Sequence, residues 1–64
     1  MEILVYAKIR GSKHFIGTFN DLEVLHLDVL GFLDSSGRLS WKDSIFFLMN
    51  GEEYKLILGD KNYD

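Results

Sequence analysis

Glu23 and His26 stand three residues apart in a stretch with helical spacing, and that pair could ligate a metal ion. Two such Glu-x-x-His pairs on facing helices hold the di-metal centre of some helical bundles. Here there is one pair, His14 is the only other imidazole, and there is no Cys. The expected role of His26 is therefore a surface side chain, and no metal or other cofactor is expected. Gly11-Ser12-Lys13 has some letters of a phosphate-cradling loop without its spacing, and no dinucleotide fingerprint is present. Asp60-Lys61-Asn62-Tyr63-Asp64 repeats the first five positions of a calcium loop without the Gly and bidentate Glu that complete one. Asp34-Ser35-Ser36-Gly37 is a shorter echo of the same pattern. Both read as solvated turn or tail. No spacing of Ser, His and acids assembles a nucleophile, a base and an orienting group. A 64-residue chain also has little room for a walled pocket. The expectation is a protein that is not an enzyme.

Charge and aromatic content point to binding instead. Tyr6, Lys8, Arg10, Lys13, His14 and Phe15 interleave near the start of a chain whose net charge is −3. A basic, aromatic strand pair is one way to meet single-stranded nucleic acid. Lysines on an edge hairpin also discourage edge-to-edge pairing, which is the simpler explanation and ranks nucleic acid low among the partners. Most acids fall after residue 20. Asp21, Glu23 and Asp28 form a candidate acidic patch, able in principle to occupy a nucleic-acid-binding groove by imitating phosphate charge.

The strongest compositional signal is an apolar surplus: 47% hydrophobic and 14% aromatic residues, with neither Cys nor Pro. A domain near 60 residues buries only ~60% of the surface its unfolded chain exposes. Disulfides and cysteine-ligated zinc are excluded as staples, so oligomerisation or partner binding gains weight. The leading expectation is a non-enzymatic protein-binding module, a small inhibitor or regulator of another protein that also self-associates, for example as a homodimer. Its size and class would suit a viral protein acting on a host enzyme. The candidate protein-binding residues are Val24, Leu27 and Leu30, a second apolar line on the helix, with Trp41, Phe46 and Leu48. No run approaches the ~18 apolar residues of a membrane span, and residues 1–10 lack a basic n-region, so a cytoplasmic location without membrane contact is expected.

The elements that must position these residues are legible in part. Residues 2–10 alternate, with Ile3, Val5, Ala7 and Ile9 on one face and Glu2, Leu4, Tyr6, Lys8 and Arg10 on the other, which predicts a strand. Gly11-Ser12 is expected to turn it into a return strand over 14–19, where Gly17 suggests a bulge. Residues 20–34 read as a helix capped by Asn20, with Leu22, Leu25, Val29, Phe32 and Leu33 on one stripe. Residues 34–37 form a turn. Asn50-Gly51 between apolar runs predicts a hairpin over 45–58 that pairs Met49 with Glu52, Phe47 with Tyr54 and Ile45 with Leu56. A helix over 41–49, ended by that same Asn-Gly, competes with it. The sum is one α+β domain over residues 1–64, a ββαββ chain with two hairpins in an antiparallel sheet and one helix packed on it. A small five-stranded β-barrel is the alternative.

Overall fold

The computed structural model describes residues 2–58. Four strands, β1 (Ile3–Ile9), β2 (Ser12–Phe19), β3 (Ile45–Met49) and β4 (Glu52–Lys55), form one antiparallel sheet in the order β2-β1-β3-β4. Helix α1 (Leu22–Ser35) and a 3-10 helix (Leu39–Ser44) connect the two hairpins. This is the expected ββαββ architecture, built as an open sheet and not as a barrel. The polar tail over 59–64, with its partial calcium-loop pattern, lies outside the described residues.

Both hairpins turn in the same way. Asn50 and Gly51 have φ of 56° and 81°, and Arg10 and Gly11 have φ of 53° and 84°. Two successive positive φ values make the turn whose twist matches paired strands. The first turn therefore sits one residue earlier than Gly11-Ser12, because glycine takes the second central position and Ser12 is left to pair with Ile9. The second hairpin has the expected register, Met49 opposite Glu52 and Phe47 opposite Tyr54, and the Leu56 N–H donates to the Ile45 carbonyl at 2.9 Å. Residues 39–44 coil into the 3-10 helix, and the chain is already extended at Ile45, so the longer helix over 41–49 does not form.

The helix starts one residue later than expected. Asp21, not Asn20, is the N-cap, and its carboxylate accepts from the Glu23 N–H at 2.9 Å. The C-terminus closes with the Gly37 N–H donating to the Asp34 carbonyl and the Arg38 N–H to the Leu33 carbonyl, at 3.2 and 2.7 Å. Gly37, at φ 74°, supplies the left-handed residue that this pair of bonds requires.

Leu25, Val29 and Leu33 pack against Ile3, Val5, Ala7, Ile45, Phe47 and Leu58 to make the core. The buried stripe is narrower than expected. Leu22 and Phe32 lie at its margins and keep 45% and 38% of their surface exposed, because a single helix on a sheet seals only the middle of its apolar arc.

Two outcomes follow from this packing. Leu25→Ala should cost ~2–5 kcal/mol in urea denaturation. That is a large share of the ~3–10 kcal/mol typical for a domain this long. Arg10→Asn should raise the melting temperature, with a gain of up to ~1 kcal/mol, since Asn tolerates the left-handed conformation better than Arg.

Candidate functional site

The strand residues that alternate with the core point to the side of the sheet that α1 does not cover. Register brings them together. Tyr6 of β1 stands between Phe15 of β2 and Phe46 of β3. Leu4 faces Leu48, which in turn faces Glu53 of β4. Lys8 faces Lys13 across the first hairpin, and Lys55 faces Phe46 across the second. Leu4, Tyr6, Lys13, Phe15 and Leu48 line a shallow hollow of about 220 Å3. Phe15 keeps 64% of its surface exposed and Leu4 36%, whereas Tyr6 keeps only 6%.

A bulge puts Phe15 on this face. Val5 pairs with Gly17 but Tyr6 pairs with Phe15, which leaves Ile16 as the extra residue of β2. Strict alternation would place Phe15 on the same side as Phe19. The bulge instead turns Ile16 and Phe19 toward the core and Phe15 and Lys13 away from it. Gly17 marked the irregularity in the sequence, but its consequence for Phe15 depends on which neighbour was left unpaired. Of this surface the protein-binding candidates included Phe46 and Leu48; Tyr6, Lys13 and Phe15 were singled out only as a basic, aromatic set that could meet nucleic acid, and Leu4 was not singled out at all.

A polar cluster flanks the hollow on the β4 side. The Tyr6 hydroxyl donates to the Glu53 carboxylate, and the Lys8 ammonium pairs with the same carboxylate at 2.9 Å. Lys8 Nζ also lies 4.5 Å from the centre of the Phe46 ring, and Lys13 Nζ 5.0 Å from that of Tyr6. These lysines lay their stems over apolar surface while their charges stay wet. Burial, then the hydrogen bond to the anionic Glu53, pushes the Tyr6 phenol up to about 12. The Tyr6 hydrogen bond and then Lys8 hold the Glu53 carboxyl below the ordinary carboxylate range.

The other candidates lie elsewhere. Val24 and Leu27 project from the outer face of α1 with 42% and 60% of their surface exposed, and Leu30 is half-buried beside them. Leu27, Leu30, Gly31, Asp34 and Leu39 border an open groove of about 460 Å3. This surface and that of Phe46 and Leu48 are on opposite sides of the domain. Trp41 joins neither. It packs against the core, with its ring 5.0 Å from that of His14 and 5.2 Å from the Arg38 guanidinium. Asp21 is engaged as the helix cap, and Glu23 and Asp28 are exposed on α1. At about 100° per residue Asp21 and Asp28 share one flank of the helix and Glu23 lies on the other. His26 is exposed, and among the described residues no three His, Cys, Asp or Glu side chains gather to hold a metal ion. Among the described residues no helix is long and apolar enough to cross a membrane.

Compared with family models, with curated proteins and with solved structures, the chain finds no match.

The polar cluster makes a prediction about pH. Because its folded pKa is raised, Tyr6 contributes stability that is complete below pH 10 and is lost as pH rises toward 12. Glu53, with a lowered pKa, contributes above the ordinary carboxylate range and loses that contribution as pH falls below it. Glu53→Gln should lower the Tyr6 pKa yet leave it above 10, since burial is the larger cause. Carbon-13 NMR titration of the Tyr6 ring checks this, and an unchanged midpoint would mean that the hydrogen bond does not form in solution.

Proposed function

We propose that this chain is a non-enzymatic protein-binding module, a small inhibitor or regulator, that engages another protein through the uncovered face of its sheet. The observation that carries this reading is the surface of Leu4, Phe15 and Leu48 around a 220 Å3 hollow, with Phe46 beside it across from Tyr6 and no element of the chain packed over it among the described residues. An apolar, aromatic centre with a charged rim is the usual build of a recognition patch. Phe15 supplies an exposed aromatic anchor and the hollow beside it could receive one from a partner.

Single-stranded nucleic acid is the second reading, motivated by Phe15, Tyr6 and Phe46 aligned across three strands beside Lys8 and Lys13. Two features favour protein over it. The Tyr6 ring is covered, which leaves Phe15 as the one freely stackable member of the row, and the Lys8 charge is paired with Glu53. The acidic-decoy reading has less support, since Asp21 is spent on the helix cap and Glu23 and Asp28 lie on different flanks.

Affinity capture from lysate with nuclease, comparing the native chain with Phe15→Glu, tests the assignment. A stoichiometric protein retained after nuclease by the native chain and lost from the variant is expected. Recovery of nucleic acid alone, lost from the same variant, would replace this reading with the second.

A further inference from the structure

We infer that the partner of the uncovered sheet face is the outer face of helix α1 from a second copy of this chain, so that copies stack head to tail. The inference rests on the protein-binding reading above and adds the identity of the occupant.

The two faces are complementary in chemistry. At about 100° per residue Leu27 and Gly31 point directly away from the buried stripe of α1, with Val24 beside them. Their charged neighbours are Glu23, Asp28 and Asp34, and α1 contains no Lys or Arg. Asp34 sits in the last turn, where the helix dipole is already negative; the base at that end, Arg38, donates to the Ser36 carbonyl at 3.3 Å and forms no ion pair with Asp34 among the described residues. That acid is unfavourable in the isolated domain and would gain from a neighbour's lysine. The sheet face has the opposite balance: Lys8, Lys13 and Lys55 lie around its apolar centre and outnumber its acids, Glu53, which pairs with Lys8, and Glu2, which alternation places on the same side.

Shape and size agree with the chemistry. A Cβ added at Gly31 would meet nothing within 4 Å, so the helix surface is open there, at the border of the groove that Leu30 and Leu39 also line. Phe15, which stands proud of the sheet, is a suitable occupant for that groove. The domain measures 32 × 28 × 18 Å, so each broad face is large enough for the ~800 Å2 per partner of a standard interface. In such a stack the neighbour's helix covers the bare side of the sheet just as α1 covers the other. Contact between like helix faces would instead oppose three acids to three acids. Because the two complementary faces lie on opposite sides, the contact joins unlike surfaces and does not close on a pair.

Light scattering across a concentration series tests this, together with a mixing experiment. The mean mass of the native chain should rise continuously with concentration and not plateau at a dimer. Raising salt should weaken association on the order of tenfold, since lysine–carboxylate attraction contributes to it. Phe15→Glu, which spoils the sheet face, and Leu27→Lys, which spoils the helix face, should each be folded by circular dichroism and monomeric alone. Mixed, they should form a one-to-one dimer, because each still carries the face that the other lacks. A mixture that stays monomeric, a variant that still assembles alone, or a native chain monomeric at millimolar concentration would overturn the inference. In the last case, a captured protein that Phe15→Glu loses would leave the protein-binding reading standing, and no such protein would remove both.

Discussion

The contact that the rest of the structure depends on is the seating of Leu25, Val29 and Leu33 on one side of a four-stranded sheet. Each of these side chains is sealed from water, and each contributes roughly 1.5–3 kcal/mol of burial. Among the described residues the one α-helix, of 14 residues, can cover the sheet once. Choosing a side for Ile3, Val5, Ala7, Ile45 and Phe47 therefore also chooses the side on which Leu4, Phe46 and Leu48 are left without cover.

The bare side is not left as raw hydrocarbon. Lys8 and Lys13 lie across the rings of Phe46 and Tyr6, and Glu53 ties the Tyr6 hydroxyl to Lys8. Those contacts link β1 to β4 across the intervening β3, which no backbone hydrogen bond can do. They hold the tyrosine ring flat against its neighbours and keep the face firm. An exposed ion pair of this kind contributes little stability by itself. Its effect is positional, since a firm surface loses less freedom when a partner docks. Phe15, outside the cluster and beside an edge hollow, remains the accessible ring.

Charge is divided in the same way as apolar surface. The strands of the bare face carry the lysines of the first hairpin, and the helix carries acids with neither Lys nor Arg among them. The polarity visible along the sequence becomes polarity through the thickness of the domain, because β1 and β2 present their lysines on the side away from α1. The proposed binding role and the proposed stacking both draw on that separation.

Local chemistry in the sequence was enough to locate most of the elements, but it left residues 38–44 without an assignment and a helix over 41–49 in competition with the second hairpin. Alternation defined β1, Asn50-Gly51 defined the second hairpin and its register, and the buried line of Leu25, Val29 and Leu33 is a plain 3.6-residue pattern. Val24, Leu27 and Leu30 were legible because they fall off the helix stripe. Phe46 and Leu48 were legible only as one of two apolar faces, since every residue of β3 is apolar and its sequence does not say which face is outside. Phe15 and Leu4 were not. Phe15 changes sides through a bulge whose unpaired residue, Ile16, is selected by packing against the core, a contact between distant parts of the chain. Leu4 lies on a face whose fate depended on how many helices were available to cover it. Trp41, a candidate for the binding surface by residue type, is set by the 3-10 helix between His14 and Arg38 and against the core. Nearest-neighbour preferences decide turns, periods and caps; which face stays bare is decided only when strands 40 residues apart pair and one helix must choose between two sides.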